Sequence, residues 1–295
     1  MPPSTDSDQD QPLAPGLYLV ATPIGNLEDI TLRALRILRS ADRIACEDTR
    51  QTQKLLNHFE IRTPTISYHM HNEGPRSEEL IEALKQGARI AVVSDAGTPG
   101  IADPGTQIAA AAIAAGIPVF PIPGANAAIS ALIASGLPTE SFSFHGFLPS
   151  KAGQRKTFLE EIPHTGEATH IFYETPHRIL EALGDIEAVF GPTQPVVIAR
   201  ELTKLHEEFL RGPAADLRTQ LSDRPSVRGE IVLLLAPSAE THATAQRPSI
   251  ATEVATLMQS ENLTEKEALK RVARERGIGK SEAYRELQRE QNRRR

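Results

Sequence analysis

The chain has 295 residues, of which 40% are hydrophobic and 24% charged, enough to bury a sizeable core in two or three packing units. It has 19 Gly and 22 Pro but no Trp, and only 4% of its residues are aromatic, which argues against a repeat scaffold or a single-strand binder of the base-stacking type. A lone Cys46 excludes an intrachain disulfide and a multi-cysteine metal site, and the expected setting is reducing and cytoplasmic.

The formal charge of −6 is unevenly spread. Residues 266–295 hold 11 Lys/Arg against 5 Asp/Glu, so a basic tail of +6 follows an acidic body of −12. Such a tail suits an enzyme that reaches nucleic acid without being basic everywhere, and it equally suits a solvated helix surface.

Residues 1–14 are polar, Pro-rich and poor in apolar residues, so a disordered segment is expected rather than a signal peptide. No run approaches the roughly 20 apolar residues of a membrane span. Leu17–Val20 reads as a buried strand ended by Pro23, and Leu32, Leu35 and Leu38 follow with helical spacing. The alternation continues through a strand at Arg43–Cys46, a helix over 49–59, a strand at Thr65–Tyr68 and a helix around Glu78–Lys85. Then come the strand Arg89–Ser94, an Ala-rich helix over Gln107–Ala115 and the strand Val119–Ile122. Near-continuous apolar strands separated by amphipathic helices predict an α/β domain over 15–122 with a parallel sheet covered on both faces.

A second α/β domain is predicted over 123–238. Its helices are expected at Ala125–Ala134, Arg155–Glu161 and Ile179–Phe190, with strands at 141–147, 170–174, 196–201, 207–211 and 230–236. The strands lie closer together in sequence here, so part of this sheet should be antiparallel. A polar linker at 239–249 leads to a helical unit over 250–295, with helices expected at Glu253–Met258, Glu265–Arg276 and Ser281–Glu290. The last two flank Arg-Gly-Ile-Gly-Lys, a pattern resembling a helix-turn-helix.

Ligands of parallel α/β sheets bind beyond the carboxyl ends of the strands. Three loops there draw attention: VATPIGN at 20–26, VVSDAGTPGIADPG at 92–105 and PIPGANAAIS at 121–130. In the middle one, two glycines permit turns, two prolines stiffen them, and Asp95 offers a carboxylate that could hold a ribose or an amino-acid group. None of the three reads G-x-G-x-x-G or G-x-x-x-x-G-K-[ST], so nicotinamide dinucleotides and P-loop nucleotides are not supported. His69 and His71 lie near Glu73, but without H-E-x-x-H or a cysteine partner they read as loop histidines, and no metal is expected. Cys46 reads as a core residue.

These loops, with CEDTR at 46–50, HGFLP at 145–149, FYETPHRI at 172–179, ARELTKLHEE at 199–208, RGEIVLLL at 228–235 and the tail, resemble the tetrapyrrole-methylase-like, S-adenosylmethionine-dependent enzymes. Within these, the resemblance is to the ribosomal RNA small subunit methyltransferase I branch, whose substrate is a cytidine ribose 2′-oxygen of 16S rRNA. The resemblance covers roughly residues 15–290. It implies two consecutive α/β domains with S-adenosylmethionine in the cleft between them, a homodimer, and the small ribosomal subunit near its decoding region as partner.

Carried over residue by residue, it assigns cofactor contacts to Pro23, Ile24 and Gly25, to Asp95, Gly97, Thr98, Ile101 and Ala102, and to Gly124, Ala125, Asn126 and Ala127. From the second domain it adds Tyr173, Glu174, Leu202, Gly229, Glu230 and Ile231. Candidates for the base or polariser of the attacking hydroxyl are Asp95, Lys204 and Glu207, with Glu47 and Asp48 behind them. Arg50, Lys151, Arg155, Lys156 and Arg178 flank the same loops and, with Lys270, Arg271 and Lys280 of the tail, are candidate phosphate contacts. Two other readings stay open: a tetrapyrrole or other small-molecule methyltransferase, which has no use for the basic tail, and a helix-turn-helix regulator.

Overall fold

A computed structural model describes residues 12–70, 72–162, 167–237, 250–261, 263–275, 283, 284 and 287. Its first sheet comprises β1 (Gly16–Val20), β2 (Arg43–Cys46), β3 (Thr65–Ser67), β4 (Arg89–Val93) and β5 (Val119–Ile122). The strands pair in the order β3-β2-β4-β1-β5, all parallel. Between them run α1 (Leu32–Ser40), α2 (Thr49–His58), α3 (Glu73–Lys85) and α4 (Thr106–Ala114).

Side chains of a strand alternate between faces, and that alternation sorts the helices. Tyr18 and Val20, Ile44 and Cys46, and Ala91 and Val93 pack with Ala34, Ile37 and Leu38 of α1 and Leu56 of α2. Their neighbours Leu17, Ala45, Ile90 and Val92 pack on the opposite face with Leu80 and Leu84 of α3 and Ile108 and Ala112 of α4. Cys46 lies wholly inside this core, where burial pushes its thiol pKa up.

The second sheet comprises β6 (Phe142–Phe147), β7 (Thr169–Glu174), β8 (Pro195–Arg200), β9 (Glu208–Pro213) and β10 (Ile231–Leu235), in the order β6-β7-β10-β8-β9. Only β6 and β7 are parallel; β10 runs antiparallel to β7 and β8, and β9 antiparallel to β8. One face packs on α6 (Ala152–Glu161), α7 (Ile179–Phe190) and α8 (Ala214–Ser222), through Leu159, Ile186, Leu217 and Leu221. The other face is covered by α5 (Ala127–Ser135), whose Ala128, Ala131 and Leu132 meet Ile171, Val197 and Leu234. Ile24, from the loop after β1, joins that cluster and ties the first sheet to the second.

Four departures from the sequence reading have physical causes. Helix α3 begins at Glu73, because Gly74 and Pro75 fall in its first turn, where a missing N–H removes no intrahelical bond. Helix α8 was not predicted; it buries only Ala214, Leu217 and Leu221, a stripe too narrow to stand out from a loop. A 3₁₀ turn at Leu27–Asp29, capped by the Asn26 side chain, was also not predicted. The ordered chain starts before residue 15: Leu13 is buried, its carbonyl accepts the Arg89 Nε proton at 2.6 Å, and Ala14 O accepts the Tyr18 hydroxyl proton at 2.6 Å.

The described residues divide into two compact units, one within 1–238 and the other within 239–295. In the second, α9 (Ile250–Glu261) and α10 (Glu265–Glu275) pack through Val254, Ala268, Leu269, Val272 and Ala273, together with Ala283 and Leu287. The Thr264 hydroxyl donates to Glu267 at 2.6 Å at the start of α10. The expected linker, the Arg-Gly-Ile-Gly-Lys turn with Lys280, most of the last helix, His71 and residues 1–11 lie outside the described residues. No described helix is long and apolar enough to cross a membrane.

Candidate functional site

The three loops singled out in the sequence are joined by hydrogen bonds. Thr22 and Gly97 exchange backbone bonds at 2.8 and 3.0 Å, which fastens the loop after β1 to the loop after β4. The Thr98 hydroxyl donates to Ala125 O at 3.0 Å, and Asn126 Nδ2 donates to Thr98 Oγ1 at 3.3 Å, fastening the loop before α5 to the same place. Asn126 also caps α5 through its side-chain oxygen, accepting the Ile129 N–H at 3.1 Å.

The middle loop is held far from an ordinary turn. Gly97, at φ +82°, adopts a left-handed backbone that a branched residue rarely takes, and Ala102 sits at φ +61° despite its Cβ. Glu73 supports the loop's far end from α3, accepting the Gly105 N–H at 3.1 Å. Strained backbone of this kind persists where its surroundings over-determine it.

Beneath these loops a cavity of about 440 Å³ opens between the two sheets. From the first half of the chain it is lined by Ile24, Glu47, Asp95 to Thr98, Ile101 to Asp103 and Ala127. The second half contributes Phe147, Tyr173 to Pro176, Ala199, Leu202 and Glu230 to Val232. The volume is that of a small-molecule site, apolar over much of its wall. Twelve of the residues carried over for cofactor binding line it: Ile24, Asp95, Gly97, Thr98, Ile101, Ala102, Ala127, Tyr173, Glu174, Leu202, Glu230 and Ile231.

Six others stand behind the wall. Pro23, Ala125 and Asn126 shape the loops, and three glycines permit close packing between segments. A Cβ on Gly25 would come within 2.4 Å of Lys204 Cγ, one on Gly124 within 2.8 Å of Ala21 Cβ, and one on Gly229 within 2.3 Å of Glu201 Cγ. These glycines are required by protein–protein approach inside the fold.

Five carboxylate residues line the cavity: Glu174 and Glu230 are paired with Arg178 and Lys204, whereas Glu47, Asp95 and Asp103 have no ion-pair partner among the described residues. Burial pushes the Asp103 carboxyl up to about 6, the charges of Glu47 and Asp95 add to the rise, and a hydrogen bond with Ser94 opposes it. Glu47 is raised too, by burial first and then by Asp95, with His69 opposing. Asp95 Oδ1 accepts the Asp48 N–H at 3.0 Å and so braces the loop after β2. Asp48 is turned away: it caps α2 and pairs with Arg50 at 2.8 Å, whose hydrogen bonds hold its pKa down at about 2.

Asp103 was missed as a site residue because Asp-Pro in a glycine-rich loop reads as turn punctuation. The available signal was that it is the second carboxylate on a loop already assigned to the site.

Lys204 and Glu207, expected as candidate bases, are both engaged by neighbouring groups outside the cavity lining. Lys204 Nζ donates to Glu201 at 2.8 Å and to Glu230 at 2.9 Å. Burial alone would lower its pKa, but these partners outweigh burial and hold it above the ordinary lysine value, so it keeps its proton. Glu207 accepts the Thr203 N–H at 2.6 Å and is a brace for a turn in which Glu201 (φ +54°) and Thr203 (φ +65°) are strained. Neither lines the cavity.

The candidate phosphate contacts divide sharply. Arg155 is 1% exposed; it donates from Nε to Asp185 at 2.6 Å and from Nη2 to Glu181 at 3.2 Å, so it is a core ion pair and cannot touch RNA. Arg178 donates to the carbonyls of Leu148 and Pro149 at 2.5 and 3.2 Å and pairs with buried Glu174 at 3.3 Å, fixing the turn after β6. Arg50, Lys151 and Lys156 are exposed, as are Lys270 and Arg271 on α10. No described group of three His, Cys, Asp or Glu is arranged to hold a metal ion.

The sequence profile of the Tetrapyrrole (Corrin/Porphyrin) Methylases matches residues 16–218. The chain is 49% identical over 274 residues to the Ribosomal RNA small subunit methyltransferase I of Halalkalibacterium halodurans, an alignment covering 91% of this chain and 93% of that one. It is 45% identical over 269 residues to the protein of the same name from Synechocystis, covering 91% and 95%. Among solved structures, a uroporphyrin-III C-methyltransferase from Thermus thermophilus complexed with S-adenosylhomocysteine superposes with a TM-score of 0.51 at 17% identity, over 76% of this chain and 98% of that one. That last likeness is one of fold.

Proposed function

The chain belongs to the tetrapyrrole (corrin/porphyrin) methylase family and, within it, to the ribosomal RNA small subunit methyltransferase I proteins, and from that premise we propose how its cleft works. The enzyme is a methyltransferase acting on RNA of the small ribosomal subunit, and its methyl donor is S-adenosylmethionine. In the finer reading, the acceptor is the ribose 2′-oxygen of a cytidine in the decoding region of 16S rRNA.

The observation that carries this reading is the donor set of the cleft. Carboxylates without an ion-pair partner face a cavity that is apolar over much of its wall, which suits a ligand bearing both a positive charge and an aromatic base. S-adenosylmethionine supplies a methyl group already activated on a sulfonium sulfur. The protein's remaining tasks are to orient the acceptor hydroxyl, to keep water away and to receive a proton.

Ile24, Ile101, Ala127, Leu202 and Ile231 would bed the apolar part of the cofactor, and the fastened loop at 95–98 would hold its polar groups through backbone amides and carbonyls. Arg50, Lys151 and Lys156 present positive charge for RNA phosphates, and the basic second unit adds Lys270 and Arg271. We place the enzyme in the cytoplasm as a homodimer, in keeping with the family resemblance.

Titration calorimetry after chelation tests the cofactor assignment. One S-adenosylhomocysteine site per chain, unchanged by divalent ions, is the expected result. Absence of binding, or binding restored only by a metal, overturns it.

A further inference from the structure

Methyl transfer to a hydroxyl needs a group to take the hydroxyl proton, and the cleft narrows the choice. Lys204 already holds its proton, Glu207 caps a turn outside the cavity, and Asp95 is hydrogen-bonded to the Asp48 amide. Asp103 remains. It lines the cavity half-buried, between Ala102 in its left-handed conformation and Pro104, so its backbone is fixed on both sides. Glu47, at the end of β2, lines the same cavity.

Building on the methyltransferase reading above, we propose that Asp103 is the catalytic base that accepts the proton of the methylated hydroxyl, with Glu47 as the positioning carboxylate that sets its basicity. In the step, a lone pair of the hydroxyl oxygen forms the bond to the methyl carbon. The carbon–sulfur bond breaks with its electron pair going to sulfur, leaving a neutral thioether. The hydroxyl proton passes to the Asp103 carboxylate, which becomes a neutral acid and later returns the proton to water. One positive and one negative charge disappear together, so no further reactant is needed.

The groups facing Asp103 all push the same way except one. Burial and the charges of Glu47 and Asp95 raise its pKa, and only the Ser94 hydroxyl, from its own loop, lowers it. Tyr173, across the cleft on β7, is a phenol raised by burial and further by Asp103 itself, so it stays neutral. Behind Glu47, Asp48 raises and His69 lowers its pKa. A carboxylate with pKa near 6 accepts a proton more readily than an ordinary aspartate and is still largely ionised at neutral pH. Removing such a base typically lowers a rate about 10²–10⁴-fold.

The test uses the full-length enzyme, small subunits from cells lacking the gene, and the variants Asp103→Asn, Asp103→Glu and Glu47→Gln. Asp103→Asn should lower kcat about 10²–10⁴-fold, keep the RNA KM, and keep S-adenosylhomocysteine affinity by calorimetry within about threefold, a change of under about 0.7 kcal/mol. The ascending limb of the wild-type pH–rate profile should vanish in Asp103→Asn and shift to lower pH in Glu47→Gln, while Asp103→Glu restores part of the rate. In the cofactor-free protein, carbon-13 carboxyl shifts should show one aspartate titrating near pH 6 that is missing from Asp103→Asn. Near-wild-type kcat in Asp103→Asn, an unchanged ascending limb, or a loss confined to S-adenosylhomocysteine affinity overturns the role as base. Wild-type enzyme that transfers no methyl group to the subunits removes the methyltransferase reading itself, and with it this proposal.

Discussion

The two walls of the cleft handle charge in opposite ways. On the side of the first sheet, Glu47, Asp95 and Asp103 face the cavity without an ion-pair partner among the described residues. On the side of the second sheet, nearly every charge is matched: Arg155 with Asp185 and Glu181, Arg178 with Glu174, Lys204 with Glu201 and Glu230, and Glu208 with Arg200 and Arg224. The surface that second wall presents to the cavity is mostly apolar, through Ala199, Leu202, Ile231 and Val232. A charged residue in a motif is thus as often a brace as a reagent. In the proposed mechanism the unpaired groups carry the chemistry, and the paired ones keep the opposite wall in place.

Breaking a brace should cost the most. Arg155→Ala leaves Asp185 nearly buried without its main partner, and a loss of about 3–5 kcal/mol in denaturant unfolding is expected. The salt dependence of RNA binding should not change; a flatter dependence with normal stability would return Arg155 to the RNA surface.

Glycines on the two sides of the loop wall should separate next. Gly97→Val forces a branched residue to φ +82° with its Cβ 3.2 Å from Ile24 Cγ2, inside the cavity lining, at a strain of about 1–3 kcal/mol. Calorimetry should show cofactor binding lost. Gly124→Val instead drives into Ala21, so unfolding should register it before binding does. The reverse order would mean that the loop before α5, and not the one after β4, makes the closer approach to the ligand.

A smaller effect concerns pH. Asp103 titrates at about 6 in the folded chain against an ordinary 3.8, so the folded state binds its proton more tightly than the unfolded state does. Stability contributed by this group therefore falls as pH rises from about 4 to about 6 and stays lower above that. Asp103→Asn lacks this cost. Its melting temperature should match the wild type near pH 4 and exceed it at pH 8, by an amount corresponding to about 1 kcal/mol, since a half-exposed carboxylate is partly relieved by water. A variant destabilised equally at both pH values would show that the carboxylate is not strained by burial.

The smallest effects belong to exposed cations. Lys151→Ala and Lys270→Ala should each flatten the logarithmic salt slope of RNA binding by about 0.7–0.9 if each meets one phosphate, with cofactor affinity untouched. An unchanged slope for Lys270→Ala would make the second unit's charge a solvated surface.

The sequence revealed some of these features and concealed others. Strands β1, β2 and β4 were legible because buried parallel strands are almost continuously apolar, and the convergence of the three loops followed from their place at the strands' carboxyl ends. Helix α8 was not legible, since two leucines four apart do not distinguish a helix from a loop. Nor was the fate of Arg155, Arg178, Lys204 or Glu207. Arg155 reaches Asp185 thirty residues further along and Lys204 reaches Glu230 twenty-six further along, and such pairings exist only once α6 has met α7 and β10 has entered the sheet. Asp103 was concealed differently: its neighbour in space, Glu47, comes from the end of another strand, and the effect of that charge on the Asp103 proton has no trace in its own loop.

The central claim is methyl transfer to small-subunit RNA at a ribose. Purified enzyme, S-adenosylmethionine carrying a labelled methyl group, and small subunits from cells lacking the gene test it in one reaction, followed by alkaline hydrolysis and mass spectrometry of the RNA. The account predicts label in 16S rRNA within an alkali-resistant dinucleotide whose 5′ nucleoside is 2′-O-methylcytidine. Label on a base, or no label in the RNA while a tetrapyrrole is methylated, would contradict it.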